Sequence, residues 1–272
     1  MPSVSQIATE KILSLIQSGN PLKWKFYQIP PQNLLSKRAY TGCNHFFLMF
    51  APEMKSPYYL TLNQINQQGY KLKKGSKGEF VIFQKLPNAK HDESGNVTGE
   101  NEGYYMLRYY YVFNAADVEG LELPNLTPAQ PKIENFIQNI SYVPIEQTAS
   151  QLAFYNPSEH KVVTPYRERF KSQNDYYSTL FHELAHATAK HFERELSFEV
   201  HSPAYKQEEL FAETVAVFLC SHFGIETTFN NSAAYIKHYS NGDGKNILSV
   251  ISAAEKAMQF ILSNSEQTKA PE

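Results

Sequence analysis

The chain has 272 residues, 42% of them hydrophobic and 19% charged, with a formal net charge of −2, and these proportions exclude an intrinsically disordered chain. Its two cysteines exclude a disulfide framework, and no apolar run is long enough to span a membrane. Because the first residues lack the basic and apolar regions of a signal peptide, we expect a soluble, cytoplasmic protein with no membrane partner.

The first 120 residues predict a domain of helices and antiparallel strands. Apolar residues at helical spacing indicate helices, and runs of β-branched and aromatic residues indicate strands. The predicted elements are helices at 5–18 and 44–50, strands at 58–62, 79–85 and 104–113, and a turn of helix or loop at 62–68. The polar, glycine-containing segment 87–102 predicts a long hairpin loop between the last two strands.

Three prolines within residues 122–132 predict a linker that separates a domain at 1–121 from a second domain at 133–265. The second domain contains predicted helices at about 133–140, 176–191, 206–222 and 247–262, and a hairpin of strands at 151–155 and 161–164. Residues 266–272 are expected to form a disordered tail. The fold class that follows is α+β.

The most specific motif is His-Glu-Leu-Ala-His at residues 182–186, on a predicted helix with Asp175 as a plausible N-cap. His182 and His186 lie one helical turn apart, so their imidazoles face the same way and can share one ion. Glu183 lies about 100° around the helix from His182, where its carboxylate can take a proton from water. Because zinc with three protein ligands and an open position activates a water, the motif predicts a zinc metallopeptidase. The alternative is a chance match with half-buried histidines.

A third ligand is required. The metzincin pattern would place glycine and histidine where this chain has Ala189 and Phe192. The acidic start of the next helix is the better candidate, with Glu209 as ligand and Glu213, one turn later, steadying a ligand histidine. Glu208 remains an alternative ligand, although an ordinary acidic first turn would also explain it. One zinc ion is the expected cofactor, and another divalent metal such as Mn²⁺ is possible.

The front half is mildly basic, since residues 1–120 hold 13 Lys or Arg against 9 Asp or Glu. Single-stranded nucleic acid binds where Lys and Arg meet exposed aromatic rings. The candidate DNA-binding residues alternate charge with rings or surround glycines in a turn: Lys23, Trp24, Lys25, Lys37, Arg38, Tyr40, Lys71, Lys73, Lys74, Lys77 and Arg108. Strand aromatics are more often core and lysine-rich turns are more often solvated, which is the competing interpretation. No base-reading motif is visible, so any binding should depend weakly on base sequence.

Several stretches resemble, in order, the ArdC-type antirestriction proteins of conjugative plasmids and related mobile elements. The matching stretches are 38–44, 73–78, 111–114, 177–188, 208–213 and 231–236. The resemblance implies an N-terminal single-stranded-DNA-binding domain, a C-terminal zincin-like metallopeptidase domain and protection of incoming DNA from host restriction. Departures occur at Cys43 and at Ala189-Lys190, outside the proposed ligands.

Two other hypotheses remain. In one, the protein is an intracellular peptidase whose front half recognises a protein substrate, and the identity of any such substrate is not implied by a motif. In the other, the protein is a non-enzymatic DNA-binding module whose metal only joins two helices. The hairpin at 151–164 bears on the first, because zincins commonly align an extended peptide beside a sheet edge. That strand could equally be scaffold.

Overall fold

We describe the fold from a computed structural model. The described residues are 2–17, 29–51, 54–85, 106–124, 133–200, 202–225 and 245–265. Several predictions concern residues outside these ranges: the loop at 87–102, most of the linker at 122–132, the tail at 266–272, and Lys23, Trp24 and Lys25. Across the described ranges, no helix is both long and apolar enough to cross a membrane.

The predicted α+β class is confirmed, with helices and strands in both halves. The helices are α1 (Val4–Gln17), α2 (Cys43–Met49), α3 (Leu62–Gln67), α4 (Ile133–Gln138), α5 (Gln173–Ala187), α6 (Pro203–His222) and α7 (Lys245–Ser263). The strands are β1 (Gln32–Asn33), β2 (Tyr58–Thr61), β3 (Lys71–Leu72), β4 (Glu79–Lys85), β5 (Met106–Asn114), β6 (Val118–Glu119), β7 (Ile145–Thr148), β8 (Phe154–Asn156) and β9 (Lys161–Pro165).

The N-terminal half is built on a four-stranded sheet with the order β1-β2-β5-β4. Its two long strands are antiparallel, with Phe80 opposite Tyr111. Helix α2 covers the edge of β4, because the Asn44 side chain donates to the Ile82 carbonyl and accepts from the Ile82 N–H, both at 2.7 Å. These two bonds occupy the edge groups of Ile82, which would otherwise be open to pairing with another strand.

The C-terminal half has a three-stranded sheet with the order β7-β9-β8. The predicted hairpin is present as antiparallel β8 and β9, and β7 pairs in parallel with β9. Strand β7 escaped prediction because its sequence, Ile-Glu-Gln-Thr, has only one strongly apolar residue. Strand β8 forms an edge of this sheet, next to α5.

Both metal-site helices begin earlier than predicted. Asp175 is not the N-cap of α5: the Ser172 hydroxyl accepts from the Asp175 N–H at 3.1 Å, so the helix starts at Gln173. Helix α6 starts at Pro203 after the N-cap Ser202, as suits a proline in the first turn. The first turn of α6 therefore contains no acidic residue, and a first-turn location does not account for Glu208.

One hydrophobic core joins the two halves. The largest buried cluster includes Ile12 and Phe46 from the front and Leu180, Phe218 and Ile251 from the back, each at most 1% exposed. Helices α1 and α2 both pack against α7, so the core continues across the predicted domain boundary. The position of that boundary stays a prediction.

A close approach of backbone and helix fixes this junction. Gly42, at the start of α2, has φ +59°, and a Cβ there would lie 3.0 Å from the Ser252 hydroxyl of α7. The Gly42 N–H donates to Glu255, which also contacts His45 Nδ1 at 2.6 Å. A glycine is required at this point because the backbone is left-handed and the neighbouring helix leaves little room.

Candidate metal centre and nucleic-acid surface

Helices α5 and α6 bring three possible metal ligands together. His182 Nε2 and His186 Nε2 are 3.1 Å apart. The two carboxylate oxygens of Glu209 lie 3.5 Å from His182 Nε2 and 3.6 Å from His186 Nε2. In a tetrahedral site with bonds of about 2.0–2.1 Å, ligand atoms are roughly 3.3–3.4 Å apart. The three side chains therefore have the spacing that a single divalent ion requires.

Each histidine also has a carboxylate at its other ring nitrogen. His182 Nδ1 lies 3.5 Å from Glu213, and His186 Nδ1 lies 3.1 Å from Glu208. Such partners fix the orientation of metal-binding histidines and increase their basicity. The structure thus places Glu213 beside His182 Nδ1. It places Glu208 behind His186, away from the Nε2 atoms that Glu209 faces.

Arg194 was not found by sequence reasoning. Its guanidinium donates to both Glu208 oxygens, at 2.9 and 3.1 Å, and to the Ala185 carbonyl at 3.2 Å. It also donates to the Thr188 hydroxyl at 3.0 Å and lies 3.9 Å from the centre of the Phe211 ring. Because Arg194 follows the α5 helix in an irregular segment, no periodicity in the sequence points to it.

The centre has an electrostatic environment that favours a cation. Burial alone would lower the pKa of His182, but hydrogen bonds to Glu209 and Glu213 and the charge of Glu183 raise it to about 10. Burial would raise the pKa of Glu208, but His186 and Arg194 outweigh burial and lower it. The pKa of Glu209 is likewise lowered, because burial is outweighed by the hydrogen bond with His182. The raised pKa of His182 shows that the surrounding carboxylates favour positive charge at this point, whereas the lowered pKa values of Glu208 and Glu209 reflect the cationic groups beside them.

The centre opens into a cleft of about 310 Å³. Glu183 lines this cleft and is 9% exposed, and the edge strand β8 contributes Phe154. Phe198, 69% exposed, stands on another side. Tyr205, a second residue missed from the sequence, lines the cleft and its hydroxyl is hydrogen-bonded to Glu209; burial and that carboxylate raise its pKa. Because Tyr205 precedes Glu209 by one helical turn, its spacing was the signal available in the sequence.

Among the described residues, the predicted DNA-binding residues do not form one surface. The described ones with exposed side chains are Lys37, Arg38, Lys71, Lys73, Lys74, Lys77 and Arg108. Tyr40 is only 9% exposed, with its ring edge-on to Tyr59, so it does not offer a face to a base. Lys37 and Arg38 follow β1, at the opposite side of the sheet from β4.

Two family models match the chain. Residues 2–113 match the N-terminal domain of the anti-restriction factor ArdC, and residues 131–256 match a zincin-like metallopeptidase. The class that fold and sequence define is therefore a zincin-like domain preceded by an ArdC N-terminal domain.

Two solved structures extend the match to nearly the whole chain, and both are of the antirestriction protein ArdC from plasmid R388. The metal-free structure is 28% identical with a TM-score of 0.74, and the alignment covers 96% of this chain and 97% of that one. The Mn(II)-bound structure is 27% identical with a TM-score of 0.75, covering 98% and 100%. The chain belongs to the ArdC-type antirestriction proteins, which confirms the resemblance found in its sequence.

Two proteins named DNA primase TraC from Escherichia coli are also similar. Each is 28% identical, over 285 and 258 residues, which is 94% and 85% of this chain. The match covers 20% and 24% of the primases. This chain thus spans a quarter or less of those proteins.

Proposed function

We propose that this ArdC-type protein combines a metal-dependent peptidase site in its C-terminal half with single-stranded-DNA binding in its N-terminal half. The observation that carries the peptidase proposal is the convergence of His182 Nε2, His186 Nε2 and Glu209 on one point beside Glu183. Two histidines from one helix, a carboxylate from the next and a neighbouring free carboxylate make up the donor set and base of zinc peptidases.

The residues that would hold the metal are His182, His186 and Glu209. Two imidazoles and one carboxylate suit zinc, and the Mn(II)-bound relative makes manganese the second candidate. When bound, a divalent ion supplies Lewis acidity and lowers the pKa of a coordinated water. Glu208 and Glu213 orient the two rings through their Nδ1 atoms.

The remaining groups of the cleft have separate roles in this proposal. Glu183 accepts a proton from the attacking water and returns it to the leaving amine, as a general base and then a general acid. The exposed edge of β8 pairs with an extended peptide. The Tyr205 hydroxyl lies beside Glu209, where it can donate to an oxygen that gains negative charge.

The test of the peptidase site is Glu183→Gln, assayed with casein and a pool of quenched peptides after loading with Zn²⁺ or Mn²⁺. We expect metal content to be unchanged and hydrolysis to fall by about 10²–10⁴-fold, as loss of a general base predicts. Glu199→Gln, an exposed carboxylate in the segment before α6, is the matched control. Metal-loaded wild-type protein that hydrolyses no probe, or a Glu183→Gln variant with full activity, would support a structural metal instead.

The DNA-binding proposal is supported by the ArdC N-terminal domain, the exposed lysines of the front half and the similarity to proteins named DNA primase. A fluorescent oligo-dT should bind at low salt, with log K falling by about 0.7 per phosphate contacted for each tenfold rise in salt. If no affinity is measured at low salt, the front half more simply recognises a protein, whose identity the sequence does not define.

A further inference from the structure

Two tyrosines form an exposed platform on one face of β5. Tyr109 and Tyr111 are two residues apart, so both point to the same side of the sheet. They are 45% and 52% exposed, with ring centres 5.9 Å apart. On the opposite face of the same strand, Val112 is fully buried. Large aromatic side chains on a strand normally lie in the core, and here only one face follows that rule.

The tyrosine platform, Tyr109 and Tyr111, rests on a rigid base. Phe80 of β4 is 4% exposed and stacks on Tyr109 with ring centres 5.2 Å apart and planes 28° from parallel. Phe80 also meets Tyr111 edge-on at 6.4 Å. Because the supporting ring is held in the core, the exposed rings have little freedom to lose when a ligand stacks on them.

A loop of lysines borders the platform. The lysine loop, residues 73–77, leads directly into β4 through Gly78. A Cβ on Gly78 would lie 3.0 Å from the Cβ of Tyr111 and 3.2 Å from the Phe113 ring, so the loop backbone packs against the platform. A side chain at position 78 would push the loop away from Tyr111, which explains why a glycine suits this position.

Hydrogen bonds within the lysine loop and to residues 116 and 117 hold the loop in place. Lys73 accepts a hydrogen bond from the Ser76 hydroxyl at 2.7 Å, and its N–H donates to the Asp117 carbonyl at 2.9 Å. The Lys73 ammonium donates to the Ala116 carbonyl at 2.7 Å. Within the described residues, Lys74 and Lys77 are exposed and make no ion pair. Two ammonium groups are thus displayed on a fixed loop.

Helix α1 adds a third cation to this face. The Lys11 ammonium lies 5.8 Å from the centre of the Phe80 ring and 3.6 Å from the Glu79 carboxylate. Glu79 is therefore paired with Lys11, and Lys74 and Lys77 add positive charge in the loop beside Tyr111, where they line a pocket with Tyr59 and Asn114.

We infer that this face is where single-stranded DNA binds, with bases stacked on Tyr109 and Tyr111 and phosphates on Lys74 and Lys77. The inference rests on the proposed DNA binding and specifies its location. Exposed rings suit unpaired bases, because the bases of a duplex are already stacked on one another. Arg108 points to the opposite face of β5 and belongs to another surface.

The experiment uses the full chain and a fluorescein-labelled oligo-dT, with affinity measured by anisotropy over a range of salt. Tyr109→Ala and Tyr111→Ala should each weaken binding by about fivefold or more, the cost of one lost base stack. The double variant Lys74→Ala/Lys77→Ala should make the slope of log K against log salt shallower by about 1.4, or 0.7 for each phosphate contact.

Matched controls are available in the C-terminal half. Tyr166→Ala removes a tyrosine that is 46% exposed, and Lys171→Ala/Lys190→Ala removes two exposed lysines. Both control variants should bind oligo-dT as the wild type does. Tyr109→Phe and Tyr111→Phe keep the rings and should retain near wild-type affinity. Tyr111→Leu, which keeps apolar bulk without a flat ring, should not, and it covers the case in which an alanine variant fails to fold.

The possible results separate the location from the function. If the wild type binds oligo-dT and all platform and loop variants bind equally well, this location is wrong and DNA binding itself stands. If the wild type does not bind at low salt, the proposed function fails before the location is tested. A duplex that binds as tightly as the single strand, without dependence on Tyr109 or Tyr111, would overturn base stacking.

Discussion

The candidate metal centre and the tyrosine platform with its lysine loop hold their side chains in different ways. In the metal centre, His182, His186 and Glu208 are largely buried, and each contacts further polar groups. On the tyrosine platform and the lysine loop, Tyr111 and Lys74 are exposed. Where side chains hold one another in place, the loss of one disturbs the others. Where side chains on a surface contact a ligand independently, each contributes only part of the affinity. We therefore expect large single-residue effects in the back half and modest ones in the front half.

The largest effect should come from separating the two halves. A fragment that lacks residues 1–130 removes α1 and α2 from α7, and so uncovers apolar residues such as Ile251, which is fully buried in the whole chain. We expect this fragment to lose cooperative thermal unfolding and to aggregate. A sharp unfolding transition in the isolated fragment, followed by circular dichroism, would show that the back half is independent of the shared core.

The second largest effect should come from His182→Ala. Loss of a ligand should reduce Zn²⁺ or Mn²⁺ affinity by more than the roughly 10- to 100-fold that an outer partner contributes. Isothermal titration and elemental analysis of the purified protein measure this directly. His191→Ala, which changes an exposed histidine shortly after α5, is the control and should retain the metal.

The next comparison ranks the two adjacent glutamates of α6. Glu208→Gln should lower metal affinity by about 10- to 100-fold, because it weakens the support that Glu208 and Arg194 give His186. Glu209→Gln should lower it further, because Glu209 faces both Nε2 atoms. The reverse order in a metal titration would make Glu208 the ligand.

The smallest effect concerns pH and the junction between the halves. Burial and the nearby His45 lower the pKa of His222 in the folded protein. Above the ordinary histidine pKa of about 6.5, both folded and unfolded states are neutral there and His222 contributes nothing. As pH falls below that value, the unfolded chain binds the proton first, so stability is lost. The melting temperature of His222→Gln should therefore fall less than that of the wild type between about pH 7.5 and pH 5.5. Equal falls would show that other groups cause the acid sensitivity.

Local sequence signals predicted much of this fold. Apolar spacing located α1, α5, α6 and α7 to within a few residues, because one buried stripe on a helix repeats every three to four residues. Runs of aromatic and β-branched residues located β4 and β5, because such side chains pack well on the surface of a sheet. For these elements the errors lie at the ends: Ser172 competes with Asp175 as N-cap, and both are chemically suited to that position.

Local sequence patterns did not predict the contacts between segments that are far apart in the chain. Arg194 donates to Glu208, which lies 14 residues further along the chain, and no regular spacing in the sequence connects the two residues. Tyr40 and Tyr111 have the same side chain, yet one is buried and the other exposed, and only the packing around each decides this. The shared core is a further example, since α1 and α7 are separated by most of the chain.

By itself, the sequence determined that His182 and His186 lie on one side of a helix that also carries Glu183, because residues four apart in a helix face the same way. It left open which of Glu208 and Glu209 meets the histidines. Adjacent residues point about 100° apart around a helix, so the answer depends on how α6 is rotated against α5. The tertiary packing decided that rotation, and with it which carboxylate faces the Nε2 atoms and which supports the ring from behind.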